Sequence, residues 1–102
     1  MSSAEFEIEI DEKIEKEIKE PEFYKVVFLN DEQTPVEFVI DILQDIFGHS
    51  EKTAEAITLT VHNEGSGIVG VYTYEIAEQK GIETVKNARA SGFPLQVKVE
   101  IE

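Results

Sequence analysis

The uneven distribution of charge and apolar residues limits which part of this chain can form a folded domain. Residues 1–22 contain nine acids and three lysines, a net charge of −6, and only seven apolar residues. Residues 23–102 contain thirteen acids and six bases, a net charge of −7 over a much longer stretch. A segment with so little apolar surface cannot offset the entropy that is lost when it becomes ordered. We therefore expect a mobile acidic N-terminal extension at 1–22 and a single folded domain at 23–102.

Two weak apolar patterns compete within the extension. Phe6, Ile8 and Ile10 alternate as in a strand, whereas Ile10, Ile14 and Ile18 recur every four residues as on a helix. A solvated leader is the expectation, and folding of this segment against a partner is the alternative.

The composition excludes several classes of function. The chain has 102 residues, a formal net charge of −13 and no cysteine. That charge argues against a general nucleic-acid binder and against docking on anionic lipid. The absence of cysteine excludes disulfides, thiolate zinc sites and a cysteine nucleophile. We find no run long enough to span a membrane and no secretory signal, and so expect a cytoplasmic protein.

The body of the chain predicts six elements in the order β-α-α-β-α-β. Strands are indicated at 23–29, 68–72 and 95–101, and helices at 36–47, 51–62 and 74–90. This order predicts an α+β fold. We expect a two-layer α/β sandwich in which a three-stranded antiparallel sheet packs against three helices.

Local signals support the helix ends. Thr34 is expected to cap the first helix, with Pro35 at the first helical position and Glu37 completing a capping box. Ser50 is expected to cap the second helix. Gly81 lies inside the third helix and should cost about 1 kcal/mol relative to alanine.

Catalysis and metal binding have little support in the sequence. A set of Ser66, His62 and Asp31 lacks the strand-to-helix elbow that would present a serine nucleophile. A metal site of His62, Asp31 and Glu32 matches no ligand spacing, and His49 lies in a polar loop with no organised neighbours. We therefore expect no enzymatic activity, no cofactor and no metal.

The polar turn Asn30–Pro35, between an apolar strand and an apolar helix, allows two interpretations. Asn and Asp are ordinary turn residues, so turn chemistry alone is one explanation. The other is that the turn gathers hydrogen-bond acceptors, to which a neutral His62 would add a ring nitrogen. A cluster of acceptors without cations suits the binding of an ammonium group.

Residues 23–102 resemble the ClpS adaptor family. The resemblance rests on the string N-D-x-x-T-P-x-E-F-V at residues 30–39 and on Val61-His62 before a glycine loop. The segments at 70–73, 75–80 and 94–95 complete it in unbroken order. The family also carries a mobile N-terminal extension.

The resemblance implies an adaptor without catalytic activity. It would bind substrate proteins that begin with Phe, Tyr, Trp or Leu and deliver them to the N-terminal domain of an Hsp100 AAA+ unfoldase, ClpA or a ClpC-like relative. We expect a monomer whose partners include neither nucleic acid nor a membrane. The alternative is a non-catalytic interaction domain of the ribosomal-stalk C-terminal type, which has no peptide pocket.

Positions matched to the family imply a role for each site residue. The α-amino group and first peptide unit of the cargo are assigned to Asn30, Asp31 and His62. The pocket entrance is assigned to Glu32 and Thr34, and the hydrophobic pocket to Val36, Val39, Thr58, Val61 and Leu95. The contact with the unfoldase is assigned to Glu75 and Lys80. Val36 and Thr58 stand where family members often carry methionine, which predicts a wider and slightly more polar pocket.

Overall fold

A computed structural model of the protein describes residues 9–10 and 22–102. The elements follow the predicted order, with one short strand added in front. They are β1 (Glu9–Ile10), β2 (Phe23–Leu29), α1 (Val36–Asp45), α2 (Glu51–Glu64), β3 (Ser66–Thr73), α3 (Tyr74–Ala90) and β4 (Gln96–Ile101).

The sheet has the strand order β1-β4-β2-β3. Strand β2 is antiparallel to both β3 and β4, which confirms the predicted three-stranded antiparallel sheet with three helices. The two-residue β1 adds a parallel pair, Glu9 with Lys98 and Ile10 with Val99, at the outer edge of β4. The prediction of a mobile extension falls mostly outside the described residues and stays a prediction.

One face of the sheet supports the hydrophobic core. Along β2 the side chains of Tyr24, Val26 and Phe28 are buried, as period-2 alternation requires. Val97 and Val99 extend the same face on β4. The helices bury apolar stripes in the same core cluster, so the helices and the sheet form two layers.

The start of α1 differs from the predicted capping box. The helix begins at Val36 with Pro35 as its N-cap, and no side chain caps it. The Thr34 hydroxyl instead donates to Asp31 Oδ2 over 2.8 Å. The capping-box prediction was wrong because an acceptor three residues earlier takes the hydroxyl. At the other end, α1 stops at Asp45, two residues before the predicted end at Phe47.

The predicted cap of α2 is confirmed, since the N–H of Thr53 donates to Ser50 Oγ over 3.1 Å. The helix runs two residues further than predicted, to Glu64, and Gly65 is its C-cap with a left-handed φ of 93°. Gly67, the second residue of β3, lies close to α2, where a Cβ would lie 2.9 Å from Val61 Cγ2. The absence of a side chain at Gly67 therefore lets β3 approach the helix wall.

Helix α3 continues through Gly81 without a break. Gly81 is buried on the same side as Ala77 and Ala88, which are fully buried. Small residues on this face allow the helix to lie close to the sheet, which accounts for a glycine in its interior.

Candidate functional site

A cavity of about 460 Å³ lies where the polar turn, the start of α1 and the end of α2 meet. All of its lining residues come from these three segments. They are Asn30, Asp31, Glu32, Gln33, Thr34, Pro35, Val36, Val39, Thr58, Val61 and His62.

The inner wall of the cavity is built by two helix faces. Val39 on α1 and Thr58 and Val61 on α2 are 7%, 6% and 5% exposed, whereas Val36 at the rim is half exposed. Helical spacing explains the grouping, because residues three or four apart share one face. All four side chains are β-branched and therefore stiff at χ1, so the wall has a defined shape.

The mouth of the cavity carries polar groups. Asn30, Glu32, Gln33 and His62 are exposed. The backbone N–H of Asn30 donates to the carbonyl of Gly65 over 2.9 Å, which ties the polar turn to the end of α2. This bond holds Asn30 near the C-terminal end of α2, the part of the helix from which His62 lines the cavity.

Asp31 organises the turn from within. Its Oδ1 accepts the N–H groups of Gln33 and Thr34, each at 2.7 Å, and its Oδ2 accepts the Thr34 hydroxyl. Burial alone would raise the pKa of the Asp31 carboxyl. The hydrogen bonds and the charge of Arg89 together have the larger, opposite effect, so the pKa lies below its ordinary value. The carboxylate is therefore ionised at neutral pH and held in one orientation.

The charge of the lining favours a cation. Asp31 and Glu32 are the two charged residues among the lining residues, and no lysine or arginine is among them. Side-chain oxygens of Asn30 and Gln33 add acceptors. The arrangement can hold an ammonium group at the mouth while an apolar group enters between the valines.

The structure brings together nine of the ten residues assigned to peptide binding. Leu95 is the exception: it does not line the cavity, and its side chain is 2% exposed within the core cluster. The assignment of Leu95 to the hydrophobic pocket stays a prediction. Gln33 and Pro35 line the cavity without having been assigned a role. Their position inside the polar turn was the available signal.

The two residues assigned to the unfoldase lie in different environments. Glu75 is exposed in the first turn of α3. Lys80 donates from Nζ to the carbonyl of Ile46 over 2.8 Å, just after α1, and lies over the rings of Phe47 and Tyr72. Lys80 thus connects α3 to the end of α1, and its role toward the unfoldase remains a prediction.

His49 has organised neighbours, contrary to the expectation from the sequence. Its Nε2 lies 2.6 Å from the carbonyl oxygen of Val69 on β3. Strand β3 is the last strand of the sheet, so His49 provides a partner for a backbone group at that strand. The sequence could not reveal this contact because the two residues are twenty positions apart.

The described residues, 9–10 and 22–102, contain neither a candidate metal site nor a helix that could span a membrane. No group of three or more His, Cys, Asp or Glu side chains there could hold a metal ion. None of the helices described in the structure has the length and apolar character needed to cross a membrane.

Comparison with known proteins identifies the family. Residues 19–98 match the family described as ATP-dependent Clp protease adaptor protein ClpS. The chain is 48% identical over 89 residues to the ATP-dependent Clp protease adapter protein ClpS of Paraburkholderia xenovorans (strain LB400), covering 87% of this chain and 86% of that protein. The corresponding protein of Cupriavidus metallidurans is also 48% identical over 89 residues, covering 87% of this chain and 82% of that protein.

A solved structure gives the same result. Agrobacterium tumefaciens ClpS2 bound to L-phenylalaninamide superposes with a TM-score of 0.79 at 41% identity. The match covers 81% of this chain and 100% of that chain. Sequence, fold and cavity agree, and the chain belongs to the ClpS family of ATP-dependent Clp protease adaptor proteins.

Proposed function

We propose that this chain is a non-catalytic adaptor that captures substrate proteins by a first residue of Phe, Tyr, Trp or Leu and delivers them to a AAA+ Clp unfoldase. The observation that carries the proposal is one cavity with an acceptor-rich, anionic mouth and a buried apolar wall. A free N-terminus whose first residue is large and apolar offers the two complementary groups, an ammonium and an apolar side chain.

Neither half of the site is sufficient for binding by itself. Burial of a Phe or Leu side chain is worth about 1.5–3 kcal/mol. Each hydrogen bond from an ammonium to a fixed acceptor is worth roughly 1.5–3 kcal/mol. Two or three such bonds and the apolar group together contribute about 4.5–12 kcal/mol before the entropy of association is subtracted, so a micromolar dissociation constant, about −8 kcal/mol, requires both.

The same reasoning gives the selectivity. An internal Phe lacks the ammonium that the acceptors of Asn30, Asp31 and His62 would bind. A first Lys would place a charge between Val39 and Val61, where no buried carboxylate compensates its lost hydration. The site therefore reads the chain end and the first side chain together.

The relative from Agrobacterium tumefaciens supports this proposal. Its ligand, L-phenylalaninamide, combines a free amino group with a Phe side chain and an amide in place of the next peptide. At 41% identity and a TM-score of 0.79, the same recognition is the natural expectation for the cavity of this chain.

Delivery requires a second surface. We assign this surface to the part of α3 around Glu75 and Lys80, which would contact the N-terminal domain of a ClpA or ClpC-like unfoldase. The adaptor would act as a monomer. Glu75 is exposed, and the Lys80 ammonium is held at the end of α1 rather than free to swing. A stalk-type interaction domain without a peptide pocket is not favoured, because the cavity and the family both point to an adaptor.

Fluorescence anisotropy with a labelled peptide that begins with Phe tests the proposal. We expect micromolar binding that is lost when the peptide is acetylated at its N-terminus, because acetylation removes the ammonium. Asn30→Ala should weaken binding, whereas Asn63→Ala, at an exposed Asn that does not line the cavity, should not. Equal binding of the free and acetylated peptides would refute the proposal.

A further inference from the structure

The inner wall of the cavity contains one polar side chain. Among the lining residues that are buried, Val39 and Val61 are apolar and Thr58 carries a hydroxyl. Thr58 lines the cavity and is only 6% exposed, so its side chain lies where the tip of a first side chain would be shielded from water. A polar atom in such a place influences which side chains can be buried there.

The proton of the Thr58 hydroxyl already takes part in a hydrogen bond within α2. Thr58 Oγ1 donates to the carbonyl of Ala54, one turn earlier in α2, over 2.7 Å. A hydroxyl has one proton and two lone pairs, so the oxygen can still accept a hydrogen bond but has no proton left to donate. The wall is therefore selective in the kind of polar group that it can satisfy.

We propose that Thr58 is a specificity-determining residue that favours Tyr over Phe as the first residue of the cargo, by accepting a hydrogen bond from the Tyr hydroxyl. The inference rests on the proposed function and adds a ranking within its substrate class. A Tyr hydroxyl that loses water without finding a partner opposes binding, whereas one that donates to Thr58 Oγ1 does not. The Thr58–Ala54 bond can persist in the complex, since the oxygen accepts and donates at once.

The test is a two-by-two comparison of two peptides and two proteins. The peptides begin with Tyr or Phe and are otherwise identical, so they differ by one oxygen atom. The proteins are the wild type and Thr58→Val, which keeps the branched shape and removes the hydroxyl. A net hydrogen bond corresponds to a factor of about 2 to 12 in affinity. We expect the ratio of Tyr to Phe affinity to fall by that factor in Thr58→Val, whatever change in affinity the two peptides share.

Two further variants separate this effect from a general change in α2. Thr60 also donates to the carbonyl four residues earlier, Ala56, but it is exposed and does not line the cavity. Thr60→Val should leave the Tyr to Phe ratio unchanged. Thr58→Ser keeps the hydroxyl and should keep the ratio, even if the loss of a methyl group lowers affinity for both peptides.

The outcomes distinguish this inference from the function beneath it. If Thr58→Val binds both peptides with an unchanged ratio, the role of Thr58 is refuted and the adaptor function stands. If the wild type binds neither peptide, both are refuted. If Thr58→Val melts well below the wild type in circular dichroism, the ratio in Thr58→Ala, which also removes the hydroxyl, decides: a fall supports the inference and an unchanged ratio overturns it.

Discussion

Replacing Asp31 by Asn removes one of the two carboxylate charges that line the cavity while leaving the turn nearly intact. The Asn side-chain oxygen can accept the N–H groups of Gln33 and Thr34, as Oδ1 does in the wild type. The Thr34 hydroxyl, which donates to Oδ2, can instead accept from the amide NH₂. The variant therefore separates the proposed role of Asp31 in binding a cation from its role in bracing the turn.

The structure allows the expected loss to be calculated. A carboxylate has about four acceptor positions, and three of those on Asp31 are filled by its own turn. One position on Oδ2 remains for an incoming ammonium. A hydrogen bond between charged groups contributes about 1.5–3 kcal/mol, so Asp31→Asn should weaken binding about 10- to 150-fold.

The assay is anisotropy with a labelled peptide that begins with Phe, with Glu32→Gln as the matched control. Glu32 is exposed and adjacent, and no hydrogen bond of its side chain is part of the turn. We expect Glu32→Gln to change the affinity by less than about threefold, since an exposed charge is screened by water. If Asp31→Asn binds as tightly as the wild type, Asp31 is only a turn residue.

The same variant tests the acid dependence of stability. Because the folded pKa of Asp31 is lowered, its carboxylate stabilises the folded state above its unfolded pKa. That contribution is lost as the pH falls below about 4 and through the lower folded value. In urea titrations, the free energy of unfolding should decrease less between pH 6 and pH 3 in Asp31→Asn than in the wild type. Identical slopes in the two proteins would contradict the assignment.

The remaining predictions concern the two histidines and the approach of β3 to α2. His62→Ala should weaken binding of the Phe peptide without changing the free energy of unfolding, because His62 is exposed at the cavity. His49→Ala should lower that free energy by about 0.5–1.5 kcal/mol in urea titrations through loss of the contact with Val69, and leave peptide affinity unchanged; a reversed pattern would refute both assignments. Gly67→Ala should lower the unfolding free energy by about 1–3 kcal/mol and weaken binding, because its Cβ would press on Val61. A Gly67→Ala variant as stable as the wild type would show that α2 accommodates the added Cβ without cost and would refute this prediction.

The fold could be predicted because its elements carry local signals. Enrichment in β-branched and aromatic residues identified β2, period-2 alternation identified β4, and the cap at Ser50 identified the start of α2. Helix ends were less predictable. Thr34 has the residue type, the following proline and the spacing of an N-cap, yet its hydroxyl bonds to Asp31. Two local uses of one hydroxyl compete, and only the backbone path decides between them.

The site was predictable in its members more than in its interactions. The motif at residues 30–39 and the pair Val61-His62 named the segments that line the cavity. The sequence could not indicate that His49 meets Val69, because that contact depends on how distant segments pack. The commitment of the Thr58 hydroxyl to Ala54 also depends on a side-chain rotamer that the sequence leaves open.

The hydrogen bonds that shape the cavity also limit how it can bind. The turn uses three of the acceptor positions on Asp31, and the Thr58 hydroxyl uses its proton within α2. What remains for a ligand is an incomplete set: one position on Oδ2, the side chains of Asn30 and His62 at the mouth, and an acceptor without a proton at the inner wall. An ammonium alone would find too few partners to outweigh the entropy of association. The apolar side chain that follows it must supply the rest, so recognition of the chain end and of its first residue depend on each other.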